Sequence, residues 1–252
     1  MATKFFENFP KIQYKLDDGR IIYIKDFFRK SKIEQEAVNS IVSYTKYEIQ
    51  DGERPDIVAS KLYGNPDLHW TFFLVNDFEN YYDWHMDNQT FERYIKDKYK
   101  GTYLVAHNRT DILEQLSTGV NKFLLGEKVT QGTKEAHVIE VDPIGKRIAI
   151  DVDTFDTNSP VATVRERAVG IKAKTFTPQS VKNRSDGILH YVNENGIIRN
   201  ESLAGFSPVT IYDHEFEKNE DKRSIKVIQP SIIQSIVRRF EKVMLSWVKV
   251  IF

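Results

Sequence analysis

Between Asp51 and Asn76 the chain reads DGERPDIVASKLYGNPDLHWTFFLVN, two short helical segments broken at Gly64-Asn65-Pro66, and this break constrains the fold more than any other stretch. Pro55 suits the first turn of a helix, where its missing N–H would lack a partner anyway. Ile57, Val58, Leu62 and Tyr63 then recur at helical spacing. Gly64 can adopt the left-handed conformation that closes a helix, while Asn65 offers a capping oxygen and Pro66 a preset φ for the next helix. That second helix is expected to run to about Asn76. Its Leu68, Trp70, Phe72, Phe73, Leu74 and Val75 are apolar on more than one side, so it either sits inside a domain or offers a face to a partner. Tyr44 to Ile49 reads as a strand entering the Asp51-Gly52 turn, and Tyr81-Tyr82-Asp83-Trp84 could supply a second strand.

Elsewhere the patterns are local. Residues 11 to 28 read as a hairpin turning at Asp18-Gly19, with a charged linker from Lys30 to Glu36. Asn88 to Lys100 is an amphipathic helix with Phe91, Tyr94, Ile95 and Tyr99 on one side, read as closing the preceding module. From 123 the period becomes two. Lys134 to Asp142 and Arg147 to Asp153 alternate around Pro143-Ile144-Gly145, so that Ile139 and Val141 face Ile148, Ile150 and Val152. Gly126 to Gly132 and Ala168 to Ile171 read as further strands, and a small β-barrel or sandwich is the simplest container. In the last helix Ser231 and Gln234 fit a capping box, with Ile232, Ile233, Ile236, Val237, Phe240, Val243, Met244 and Trp247 near helical spacing. This stripe either packs back on its own domain or meets another chain.

Composition excludes some classes. Lys plus Arg and Asp plus Glu are both 36, so the formal net charge of zero gives no bulk draw toward nucleic acid or an anionic membrane. With no cysteine, disulfides and thiolate metal sites are out, and no stretch has the apolar length of a signal peptide or a membrane span. Such a chain fits a protein made in the cytosol and then carried in a particle. The histidines at 69, 85, 107, 137, 190 and 214 lack metal-ligand spacing. His85 with Asp87 and the run Asp213-His214-Glu215 come nearest, and read better as surface or as core hydrogen bonds. Asp151 and Asp153 would share one strand face, as an acid/base pair or, more simply, as a solvated face. No phosphate loop and no nucleophile elbow occurs, so no catalytic residue, cofactor or metal is expected.

The order strand, helix, helix, strand resembles the LysM module, whose second helix commonly carries a leucine and closes on an asparagine, as Leu68 and Asn76 do here. Arg54-Pro55-Asp56, Leu62 to Pro66, Leu68, Trp70, Asn76-Asp77, Tyr81-Tyr82 and Trp84 together are similar to the small baseplate wedge protein family of T-even-like contractile-tailed phages, the gene product fifty-three family. His190 to Gly196, Asn219 to Ile228 and, more weakly, Lys25 to Arg29 resemble further segments of that family in its order. Residues 101 to about 185 have no counterpart there and read as an insertion.

The expectation is therefore an α+β chain: an N-terminal hairpin and linker (1–40), a LysM-like βααβ module with closing helix (41–100), a β-rich insertion that is a small barrel or sandwich (101–185), and a C-terminal hairpin with an amphipathic helix (186–252). The resemblance implies a structural, non-enzymatic virion subunit assembled in the host cytoplasm, present in multiple copies in a sixfold baseplate. Its implied partners are other wedge subunits, including the helical bundle of the larger wedge proteins and the neighbouring wedges, which it would clamp. Tyr63, Asn65, Leu68, Trp70, Phe73, Phe240 and Trp247 are the candidate protein-interface residues. A LysM module also allows a peptidoglycan- or chitin-binding role, with Trp70, Phe72, Phe73, Tyr81, Tyr82 and Trp84 available to stack on sugar rings.

Overall fold

The computed structural model describes Phe9 and residues 11–26, 44–114, 119, 121–164 and 174–248, with side chains as far as Lys242. The expected linker at 30–36, the strand at 168–171, the side chain of Trp247 and the apolar tail after Val248 lie outside the described residues. In chain order the elements are β1 (Lys11–Lys15), β2 (Ile21–Lys25), β3 (Tyr44–Glu48), α1 (Pro55–Tyr63), α2 (Trp70–Asn76), α3 (Asn88–Lys98), β4 (Thr102–Val105), α4 (Arg109–Ile112), β5 (Lys128–Gln131), β6 (Lys134–Asp142), β7 (Arg147–Ile150), β8 (Val161–Thr163), β9 (Thr175–Phe176), β10 (Ser180–Asn183), β11 (Ile188–Val192), β12 (Ile198–Arg199), β13 (Ser207–Thr210), α5 (Ile211–Asp221), β14 (Ser224–Ile228) and α6 (Ile233–Val248). They group into two compact units, Met1–Asn88 with Asn219–Phe252, and Gln89–Lys218.

In the first unit, β1 and β2 form the hairpin that the Asp18-Gly19 turn predicts, with Gly19 at φ +85°. The pairing of β3 was not legible. Tyr81-Tyr82-Asp83 is a 3-10 turn, not a strand, because Asn80 caps the Tyr82 N–H and Asp83 accepts from the N–H groups of Glu79 and Asn80. The second strand is instead β14, antiparallel to β3 from Ser224 opposite Glu48 to Ile228 opposite Tyr44. Ile225 and Val227 of β14 are buried with Ile49, Val58, Ala59, Phe72 and Trp84. Leu68, Trp70 and Ile228 join Phe9, Ile233, Val237 and Phe240 in a second cluster. The described part of the C-terminal stripe thus packs back on its own unit. α6 begins at Ile233, with the Ile236 N–H donating to the Ile232 carbonyl, so Ser231 lies ahead of the cap position and the expected capping box does not set the helix start.

The second unit carries an antiparallel sheet of seven strands, ordered β10-β4-β7-β6-β5-β8-β9, and not the closed barrel that was one of the two expected containers. Among the described residues β10 and β9 are its two edges, yet strands from both halves bury one cluster: Leu104, Ile148 and Ile150 with Val129, Val138, Val161 and Phe176. The nine-residue β6 makes this possible by pairing with β7 at one end and with β5 at the other. A register shift between Val138 and Glu140 marks a bulge in β6. One extra residue inverts the alternation, so Val138 is buried and Ile139 turns outward, against the expected inward Ile139. The expected second strand also ends early, at Ile150, which leaves Asp151 and Asp153 beyond it. A smaller sheet, β12-β11-β13, and the helices α3 and α5 complete the unit. Phe91 of α3 meets Tyr212 and Phe216 of α5 edge-on at 5.5 and 5.8 Å.

Gly64 closes α1 at φ +68°, its N–H donating to the Ser60 carbonyl, and a Cβ there would meet nothing within 4 Å. Gly64→Val is therefore expected to act through backbone strain alone, lowering stability by about 1–2 kcal/mol without changing the core. Urea unfolding checks this: the midpoint falls, while the Trp fluorescence of the folded state stays as in the wild type.

Candidate functional site

The corner predicted from sequence is built around polar clips. The Asn65 side chain accepts from the Asp67 N–H at 2.9 Å and starts a 3-10 turn, Pro66–His69, that leads into α2. Predicted as one helix, 66–76 is thus two, and Asp77 at φ +58° ends the second. Asn76 does more than close α2. Its amide nitrogen donates to the Phe72 and Lys226 carbonyls at 2.9 and 2.8 Å, and its oxygen accepts from the Lys226 N–H at 2.8 Å. Lys226 is at a position of β14 whose amide points away from β3, so Asn76 satisfies that edge as a neighbouring strand would.

The candidate interface residues divide by burial. Leu68, Trp70 and Phe240 are 0%, 5% and 8% exposed, with the Trp70 and Phe240 rings 4.8 Å apart. They are core, and their placement leaves no outward face. Tyr63 is half-buried: it lies on Phe72 at 5.6 Å and donates its hydroxyl to the Ile228 carbonyl at 2.9 Å. Burial pushes that phenol up to about 12. Phe73 is half-buried, stacked with Trp84 and edge-on to Phe78. Trp84 is buried as well, its indole N–H donating to the Glu53 carbonyl at 2.8 Å. Of the aromatics that might stack on sugar, Trp70, Phe72 and Trp84 are therefore closed to solvent, whereas Tyr81 and Tyr82 are 56% and 58% exposed. Ile57 on α1 is exposed as well.

Sequence reasoning missed the residues that tie Asn219–Ile228 to this corner. The Asn219 amide bonds both the N–H and the carbonyl of Met86 at 2.9 Å. Glu220 accepts two bonds from Arg223, at 2.9 and 2.8 Å, and faces the buried His85 Nε2 at 3.2 Å. Arg223 also reaches the Ile49 carbonyl, and Lys222 the Tyr82 carbonyl. The signals were the resemblance of Asn219 to Ile228 to a family segment and the density of charged and amide residues in NEDKR directly ahead of a strand. Arg223, and then His85, hold the Glu220 carboxyl down at about 2, against an ordinary 4.5. A carboxylate depressed in the folded state contributes its stability above pH 4.5, and that contribution disappears as pH falls toward 2. Glu220→Gln should lower the Tm at neutral pH and flatten its fall across this window; a Tm series from pH 2 to 7 on both proteins measures it.

The remaining polar candidates are occupied by the fold. In the second unit Glu215 is buried and accepts from Tyr99 at 2.8 Å and Lys98 at 3.2 Å. Burial opposes its charge, but these bonds prevail and its carboxyl sits below the ordinary value. Asp213 accepts from the N–H and hydroxyl of Thr210 at the start of α5, and His214 packs edge-on to His190 at 5.7 Å. Asp151 bonds the His137 N–H at 2.7 Å. An open groove of about 1040 Å³ in this unit has Arg147 over the Tyr103 ring at 4.2 Å. That guanidinium is held by Asp142 at 3.0 Å and by the Ile188 carbonyl at 2.7 Å. Among the described residues no three His, Asp or Glu side chains gather as metal ligands would.

Residues 4–115 match the model of a phage protein family described as base plate wedge protein 53. This stretch includes the hairpin, β3, α1, the corner and α2, and runs on through α3, β4 and α4. A search of the curated proteins returns no match.

Proposed function

We propose that this chain is a structural, non-catalytic subunit of a phage tail baseplate wedge, present in multiple copies around a sixfold ring and contacting the other wedge subunits. The observation that carries this reading is the family match over 4–115, which falls on the corner and its supporting strand. We further propose that β3, α1, α2 and β14 are a LysM-like module whose last strand is reached only after the second unit. The order of these elements, the antiparallel β3–β14 pair and the Asn76 clip support it. The module clamps neighbouring wedges around the helical bundle of the larger wedge proteins. Ring closure makes each junction effectively intramolecular once its neighbours are placed, so modest contacts suffice.

In this proposal Tyr63, Asn65 and Phe73 shape the clamp, Leu68, Trp70 and Phe240 hold it together, and Ile57, Tyr81 and Tyr82 carry the outward contact. Trp247 would extend it along α6. The triple variant Ile57→Asp, Tyr81→Ala, Tyr82→Ala should stay folded and copurify with single wedges, yet fail to give hexagonal baseplates in electron micrographs. Complete rings at wild-type yield would sink the clamp. Loss of binding to a single wedge would move the contact inside one wedge.

The sugar-binding alternative rests on the exposed Tyr81–Tyr82 pair, whose rings are 6.4 Å apart and edge-on. With Trp70, Phe72 and Trp84 buried, this pair is too small a platform, and the isolated chain should show no saturable retention on insoluble peptidoglycan at low salt. Retention that Tyr81→Ala abolishes would reverse the ranking.

A further inference from the structure

We propose that the outer edge of β1 is a docking edge for an extended segment of another wedge subunit, one that alternates acidic and apolar residues and adds to the hairpin as a third strand. Only the partner's identity rests on the wedge role. An isolated two-stranded hairpin is marginal in water. Among the described residues β1 and β2 pair only with each other. The hairpin nevertheless exposes Tyr14, Ile21, Ile22 and Tyr23, at 51%, 60%, 39% and 66%. A third strand along β1 would cover Tyr14 and complete the sheet.

The register states which strand fits. Leu16 donates its N–H to the Arg20 carbonyl, so in the alternating antiparallel ladder Tyr14–Ile22 and Ile12–Ile24 are the bonded pairs. The N–H and C=O groups of Lys11, Gln13 and Lys15 therefore point outward. Their side chains share one face and are exposed, with Gln13 tied across to the Tyr23 hydroxyl at 3.0 Å. Ile12 and Tyr14 lie on the other face. A strand laid along this edge meets two lysines on one side and two apolar residues on the other, which calls for acids alternating with apolar residues. The same lysines oppose a second copy of β1, since self-pairing would bring lysines together. The edge thus selects a heterologous acidic strand.

Two measurements on the full chain test this. Fluorescence anisotropy compares synthetic peptides of alternating Glu-Val and alternating Lys-Val: the acidic peptide should bind at least tenfold tighter at low salt, and Lys11→Glu with Lys15→Glu should invert the preference. Hydrogen exchange on the free chain and on the assembled wedge should show the Gln13 and Lys15 amides slowing at least tenfold on assembly, with Ile12 and Tyr14 changing little. If the chain enters the wedge and those two amides still exchange at the free rate, the docking edge is wrong and the wedge role stands. If the chain never joins wedge subunits, the wedge role falls and the peptides decide: an acidic preference that inverts upholds the edge, and no preference overturns it.

Discussion

Leu68→Asp should abolish folding of the unit that contains the corner. Leu68 has no solvent-exposed surface and lies among Phe9, Trp70, Ile228, Ile233, Val237 and Phe240, none of which carries a charge to offset a carboxylate. An ionised, unpaired carboxylate in such a site costs several kcal/mol, and neutralising it still leaves an unsatisfied polar group where a leucine packed. Against a total stability of about 5–15 kcal/mol for a typical domain, that loss is decisive. Trp70→Ala should cost about 3–5 kcal/mol by emptying the space against Phe240. Leu68→Met, which nearly conserves volume, should cost under about 1.5 kcal/mol. Urea unfolding followed by Trp fluorescence distinguishes the three. A folded Leu68→Asp protein with wild-type midpoint would mean that the α2–α6 packing is not the core of this unit. Because these residues are core, loss of assembly in Leu68→Asp would report on folding and not on an outward contact.

Gly101→Ala is expected to be the most damaging small substitution in the second unit. Gly101 sits at φ +96°, where an L residue is strained, and an added Cβ would overlap the Ile150 carbonyl oxygen and lie 3.3 Å from Ile139 Cδ1. Ile150 is opposite Thr102 at the pairing of β4 with β7, so relief requires moving one of these two interior strands of the seven-stranded sheet. Strain and overlap together should cost on the order of 3 kcal/mol or more. Hydrogen exchange at the β4 and β7 amides should accelerate accordingly. Gly132→Ala makes a fair control: its φ is +62°, but a Cβ there meets nothing within 4 Å, so its cost should be confined to backbone strain.

These expectations depend on two kinds of information, and the chain carries them differently. Residue type and spacing specify local features: the left-handed Gly64, the Asn65 cap, the Asp18-Gly19 hairpin and the β6–β7 hairpin each arise from interactions within a few residues. Backbone sterics and capping bonds act at that range, so residue type and spacing suffice to read them. The resemblance to the wedge family rests mainly on Arg54 to Trp84, a local stretch as well.

What those elements pack against is set by the assembled fold. Apolar spacing told that Leu68, Trp70 and Phe240 would be covered, but the hydrophobic effect is not directional, so the pattern could not tell a partner chain from α6 and β14 of the same unit. Likewise, Tyr81-Tyr82-Asp83-Trp84 has strand composition, yet Asn80 and Asp83 wind it into a turn, and β3 pairs with Ser224–Ile228. The bulge at Val138–Glu140 shows the same limit at the scale of one residue, because curvature demanded by a shared core overrode strict alternation. Pairing across a whole intervening unit is selected by the sum of many distant contacts, among them the amide clips of Asn76 and Asn219, and no local pattern of residues encodes that sum.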